Sequence, residues 1–307
     1  MKLSIFAGKG GVGKSTSAAA YSLSRATKES TLVIDYDRGH SIARILGLGD
    51  NSTRPSNEIV ETGIDGLHLA VVDKLFFQGI GESQHYKFPV GNYLAQFPGN
   101  YGILAFHDMI TEFFGAVTDI NSVSYFATLT TLFEEAEKMK KEHIVLDVEP
   151  TAGLERLLGS TKAISRSFQL LRDLGTMKKM VLGQAWPDIR AFLDGSYVQN
   201  AGTYAPKLEI TAQTIRDAKY RLVCVPEQGP VEQMGEVKQL VESYGGRVHG
   251  YIVNNVREDS DEQRYINEVV DASGALPVTV VDHDPRLHGD DIDERREFLR
   301  EMGERFV

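Results

Sequence analysis

Nine residues of this 307-residue chain have types and spacing that could do chemistry together: Gly8, Lys9, Gly10, Gly11, Val12, Gly13, Lys14, Ser15 and Thr16. They read as G-x-x-x-x-G-K-[ST], opening at Gly8 and closing on Gly13, Lys14 and Ser15. Glycines let the backbone curl until successive N–H groups face one anion. A helix starting at the end of the loop adds the positive end of its dipole. In such a loop the Lys14 ammonium reaches the β- and γ-phosphates of a nucleotide, and the Ser15 hydroxyl holds Mg²⁺. The motif means this only between a strand and a helix. An apolar run over residues 3–7 and an Ala-rich run over residues 17–26 predict both.

The other candidate groups stand where strands are predicted to end. Residues 31–37 form an apolar run closing on Asp35 and Asp37, and residues 143–147 one closing on Asp147. In open α/β sheets, ligands lie beyond the carboxyl ends of the strands. An aspartate there, after aliphatic residues, can hold Mg²⁺ through its water shell. Asp37 is open to a second reading, as the N-cap of a helix over residues 41–46. Asn254 ends a predicted strand over 249–255, where it is either a ligand contact or a turn residue.

Further strands are expected over residues 67–73, 221–227 and 277–281, and helices over 125–141, 231–244 and 290–307. Residues 50–66 read as a polar loop, and 74–118 as irregular and aromatic. Residues 160–219 read as helices, with Ile164, Phe168, Leu171 and Leu174 in one and Ile189, Phe192 and Leu193 in another. The expected fold is α/β: a doubly wound, mostly parallel sheet with a helical insertion subdomain. Residues 1–159 and 220–307 would form the core. Residues 160–219, with parts of 74–118, would form the insertion.

Composition bounds the function. The net charge of −10 and the lack of a Lys/Arg cluster argue against nucleic acid. No apolar run approaches the roughly 18 residues of a membrane span. The predicted first strand begins at the N-terminus, so no signal peptide is expected. The single cysteine, Cys224, excludes an internal disulfide and points to a reducing, cytoplasmic setting. In the final helix, Leu299, Met302 and Phe306 share a face, while seven acids outnumber four arginines over residues 290–307. A net acidic helix is repelled by anionic lipid, so it is expected to pack on the core, and no stable membrane association is expected.

Lys9 adds a resemblance. A second lysine just after the first glycine is ordinarily a solvated loop residue. The string K-G-G-V-G-K-S, however, resembles the deviant Walker A motif of the ParA, MinD, nitrogenase-iron-protein and ArsA group of P-loop ATPases (the SIMIBI type). The resemblance implies ATP and Mg²⁺ as ligands. It also implies a homodimer closing around two ATP molecules, with Lys9 crossing to the partner's phosphates. Asp37, His40 and Ser41 resemble the switch I Asp-Pro-Ala-His-Ser of the arsenical-pump branch, which implies that Asp37 orients the attacking water. Asp147, Pro150, Thr151, Arg156, Leu157 and Leu158 are similar to its switch II, but Gly153 stands where that branch has histidine. Asn254, Val281 and Asp282 occupy positions that hold adenine in the family. The insertion of about sixty residues before the strand at 221–227 resembles the arsenical-pump and tail-anchored-protein-targeting branch rather than MinD or ParA.

The resemblance therefore implies an ATP-hydrolysing dimeric switch that couples closure to a protein client or membrane-protein segment. A ParA/MinD-type positioning ATPase and a metallocofactor-maturation ATPase are the alternatives. The second is prompted by the run Ala152-Gly-Leu-Glu155. An arsenite pump would need soft thiolate ligands, which one cysteine does not supply.

Overall fold

The computed structural model describes residues 1–37, 39–49, 57–72, 120–162, 196–257 and 260–306. The expected helices around 164–174 and 189–193, and the aromatic segment 74–118, lie outside the described residues. In order, the elements are β1 (Lys2–Ala7), α1 (Lys14–Ala26), β2 (Thr31–Tyr36), α2 (Ser41–Ile45), β3 (Ile59–Glu61), β4 (Leu67–Val71) and α3 (Ile120–Lys138). They continue with β5 (His143–Val148), α4 (Ser196–Arg216), β6 (Lys219–Cys224), α5 (Gln228–Ser243) and β7 (Arg247–Val256). The chain closes with α6 (Ser260–Ser273), β8 (Val278–Asp282), a 3₁₀ turn (Pro285–His288) and α7 (Ile292–Glu304). Residues 151–162 are also helical.

The eight strands form one sheet in the order β3-β4-β2-β5-β1-β6-β7-β8, parallel throughout except for the antiparallel edge strand β3. Every residue of β2 and β5 is buried, as expected where helices cover both faces of a parallel sheet. Because the strands run parallel, their carboxyl ends lie along a single edge. Register places Asp35 of β2 directly beside Asp147 of β5.

The chain divides into two compact units. One comprises Met1–Asp73, Thr131–Leu158 and Thr214–Val307, and carries the sheet. The other comprises Lys74–Thr130 and Gly159–Gln213, and its described residues are helical. In the first unit α1 is the central helix. Ala18, Ala19, Ala20, Tyr21 and Leu23 are all buried, and the small side chains let α7 pack along it. A Cβ on Gly303 would come within 2.0 Å of the Ala20 carbonyl oxygen. Phe298, Leu299, Met302 and Phe306 fill the seam, so the apolar stripe expected in the last helix is buried.

Two elements differ from the sequence reading. Residues 59–61, expected to be loop, pair with β4 as β3. The return is tightened by the Thr62 hydroxyl, which donates to the Leu67 carbonyl at 2.7 Å. Three residues are too short to show alternation. Helix α6, absent from the reading, buries only one stripe, which includes Ile266 and Val269.

Candidate functional site

The phosphate loop leaves β1 at Gly8. The loop there passes so close to β6 that a Cβ would lie 2.2 Å from the Val223 carbonyl oxygen. It enters α1 through Gly13, the N-cap residue, in the left-handed region at φ 89°. A side chain at position 13 is excluded a second time by Asn254, whose Nδ2 would lie 2.1 Å from the added carbon. That same Nδ2 donates to the Val12 carbonyl at 3.1 Å. Asn254 thus braces the loop from β7, a role that the adenine assignment did not anticipate. Val281 is buried and Asp282 exposed at the end of β8, on the same edge of the sheet.

Lys14 is buried at the start of α1 and donates from Nζ to the Lys9 carbonyl at 3.1 Å. Burial lowers its pKa, while the charges of Asp147 and Asp37 oppose the shift. Lys9 itself is exposed, as are Gly10 and Gly11, whereas Ser15 and Thr16 are half-buried. The Lys9 Nζ lies 3.7 Å from where a Cβ on Gly229 would stand, over the start of α5. A helix N-terminus disfavours a cation, so this contact does not hold Lys9 in place.

Asp147 is fully buried, and neither carboxylate oxygen has a partner in full hydrogen-bond geometry, although the Ser15 hydroxyl stands close enough to favour its charged form. Burial, followed by the charge of Asp35, raises its pKa to about 8. Orphaned buried carboxylate oxygens are unusual. These lie on the sheet edge that carries the Ser15 hydroxyl, and hard oxygen donors of this kind suit Mg²⁺. Among the described residues no group of three or more His, Cys, Asp or Glu side chains forms an all-protein metal cage. Mg²⁺ bound to a nucleotide needs none, because phosphates and water complete its shell.

The segment that follows β2 is held from beneath. Asp35 accepts from the Asp37 N–H at 3.3 Å and from the Ile42 N–H at 3.1 Å. Ser41 Oγ donates to Ser15 Oγ at 3.4 Å. Asp37 is not the N-cap of α2. His40 takes that place, at φ 42°, and Asp37 instead accepts from the Gly39 N–H at 3.1 Å. In switch II, Gly153 has a local reason. A Cβ there would lie 2.1 Å from that of Glu149, whose carboxylate pairs with Arg156. The buried Glu149 side chain occupies the space that a histidine at 153 would need.

Sequence reasoning brought Lys14, Ser15, Asp37 and Asp147 to one sheet edge, and the structure places them there. It placed Asp35 at the same strand end but gave it no role, whereas the structure shows it holding the backbone of residues 37 and 42.

A glycine-rich loop between the central strand and its helix, with acids at the neighbouring strand ends, defines a P-loop nucleotide-binding fold on a doubly wound sheet. The family model described as anion-transporting ATPase matches residues 1–273, and the chain belongs to that family of ATPases. It is 23% identical over 254 residues to an ATPase ASNA1 homolog of Plasmodium yoelii yoelii, a match covering 81% of this chain and 61% of the relative. It is 24% identical over 270 residues to ATPase get3 of Pyrenophora tritici-repentis, covering 81% and 72%. Among solved structures it is similar to a plasmid partition protein from Borrelia burgdorferi B31 bound to AMPPNP. The TM-score is 0.50 at 14% identity, covering 99% of this chain and 96% of that one. It is also similar to the MinC:MinD cell division protein complex of Aquifex aeolicus, with a TM-score of 0.53 at 14% identity, covering 100% and 96%. At that identity the likeness is one of fold. Among the described residues no helix is long and apolar enough to cross a membrane.

Proposed function

We propose that this chain is an ATP-hydrolysing switch that works as a homodimer, coupling closure around ATP to the binding of a protein client. The observation that carries the reading is the pairing, at one sheet edge, of a buried Lys14 with the orphaned oxygens of Asp147. A buried carboxyl group without hydrogen-bond partners is costly unless a ligand completes it, and a magnesium nucleotide would bring the missing partner.

Hydrolysis of a phosphoanhydride needs positioning and positive charge rather than covalent chemistry. Gly8 to Thr16 cradle the phosphates, Lys14 turns from the Lys9 carbonyl to the β- and γ-phosphates, and Asp37 orients water. Ser15 and Asp147 would hold Mg²⁺, which supplies charge neutralisation on the phosphate oxygens when bound. The exposed Lys9 adds its charge from the partner protomer. Asn254, Val281 and Asp282 bound the adenine side. The client belongs to the second unit in this reading, supported by family membership and by that unit's separate packing. Burial of the α7 stripe disfavours the alternative of a lipid-binding positioning ATPase, because that face is not available to a membrane.

The test is complementation. Lys9→Ala and Asp37→Asn proteins should each bind ATP and fail to hydrolyse it. Mixing them should restore turnover, because one site of the mixed dimer has an intact Asp37 in cis and an intact Lys9 in trans. Confirmed mixing without restored turnover would overturn the trans role of Lys9.

A further inference from the structure

The region matched by the family model ends at residue 273, and α7 lies beyond it. Yet α7 grips both elements that frame the phosphate site. Along α1 it is seated through Gly303 on Ala20. At its other end it meets the segment that follows α2. The Arg296 Nε donates to the Leu46 carbonyl at 2.8 Å, and its Nη2 donates to the Gly47 carbonyl at 3.3 Å. Ile292 packs so closely on Gly47 that a Cβ there would lie 2.5 Å from the Ile292 Cγ2. Gly47 has φ 62°, in the left-handed region, so its backbone is shaped for this contact.

Helix α2 is a single short piece whose last carbonyls have no partner within the helix. The N–H groups of Leu46, Gly47 and Leu48 fold back onto Ile42, Arg44 and Ala43. This leaves the Leu46 and Gly47 carbonyls pointing outward, where the planar guanidinium takes both. At the start of α2, Asp35 holds the Ile42 N–H and Ser41 touches Ser15. The helix is therefore fixed at two points, one in the phosphate site and one on α7.

We propose that Arg296 is a positioning residue for ATP hydrolysis, fixing the far end of α2 so that Asp37 and Ser41 sit correctly at the phosphate site. The inference rests on the ATPase reading above. The Arg296 donors go to the segment after α2 and not to the phosphate loop, so its loss should leave binding at that loop intact and slow the chemical step.

The experiment is steady-state hydrolysis by the full chain with ATP and Mg²⁺. Arg296→Met keeps an unbranched apolar stem but removes both donors. It should lower kcat about tenfold and leave KM within about twofold, since small misplacements remote from the chemistry act on the rate. Arg296→Lys offers one compact charge instead of a fork and should fall between. Val269→Ala, a core change in α6 away from the site, calibrates the effect of lost thermal stability alone. Unchanged kcat in Arg296→Met would overturn the proposal. So would a kcat loss equalled by Val269→Ala at matched thermal stability. Hydrogen exchange supplies an arm independent of turnover. Amides of residues 41–47 should exchange faster in Arg296→Met while those of residues 10–15 are unchanged, and equal rates at 41–47 would also overturn it. A wild-type protein with no turnover at all would instead remove the ATPase reading, and the exchange arm would still decide whether Arg296 holds α2.

Discussion

Strand β5 begins with His143 and carries Asp147 one residue before its end, and the two ends of the sheet treat buried polar groups differently. At the amino end, the Ser4 hydroxyl lies 3.0 Å from the His143 Nε2 and accepts from Arg221 Nη1 at 3.1 Å. Arg221 also donates to the Tyr21 hydroxyl at 3.3 Å and lies over the Tyr21 ring at 4.4 Å. The polar groups there bond to one another across β5, β1 and β6, while the His143 Nδ1 is left with only the Glu29 carboxylate, 3.8 Å away. At the carboxyl end, Asp147 keeps two buried oxygens with no partner in full hydrogen-bond geometry. A network whose groups mostly partner one another holds the fold together. A buried carboxylate left incomplete on the edge of the sheet where ligands bind is a candidate place for one.

The largest test of that contrast is at the carboxyl end. Lys14→Ala should abolish ATP binding in a titration with labelled nucleotide. Asp147→Asn should lower hydrolysis roughly 10–100-fold, as removal of an outer-shell metal partner does, yet leave thermal stability without Mg²⁺ unchanged or raised. If Asp147→Asn instead melts lower than wild type without metal, Asp147 is a structural group like those at the other end.

The next effect is on acid stability. Burial pushes the His143 pKa down to about 4, against the pull of Glu29 and with Arg25, Arg221 and Lys2 nearby adding to the fall. Its unfolded value is near 6.5, so between those two values the unfolded chain binds the extra proton. Stability from this group is complete above about pH 6.5 and is lost as pH falls toward 4, amounting to roughly 2–3 kcal/mol. His143→Gln can accept from Ser4 without titrating. Its denaturant-derived stability should fall less steeply over that window, and an unchanged slope would remove His143 from the account.

The smallest effect is Ser4→Ala, which withdraws a hydroxyl shared by His143 and Arg221. It should cost about 1–3 kcal/mol by chemical denaturation, the usual penalty for stranding buried polar partners, with ATP turnover unchanged. A neutral outcome would mean that the amino-end network is replaceable, and the contrast with Asp147 would lose its force.

What could be read from the sequence was local. The phosphate loop, the aliphatic strands and the aspartates at their ends are each declared within about ten consecutive residues, and the parallel sheet then brings Lys14, Asp37 and Asp147 to one edge. What escaped was set by distant partners. Asn254 reads as an adenine contact or a turn residue, and its bond to the Val12 carbonyl, 242 positions away in sequence, shows only once β7 is placed. Arg296 reads as one of several charges on a polar face until α7 docks, 250 positions from Leu46. Strand β3 was missed because three residues carry no pattern of their own. Glu149 and Gly153 are legible only as a pair, since each accounts for the other by volume.

The close fit of α7 on α1 has a consequence for anyone who handles pieces of this protein. Family likeness draws a border at residue 273, but the folding unit does not stop there. A fragment trimmed to that border would lose Phe298, Leu299, Met302 and Phe306 and uncover the side of α1 that they shield, beside Phe6 and Tyr21. An apolar strip of that kind in water invites other chains to cover it. The fragment would retain every residue of the phosphate loop and still spend its time in aggregates.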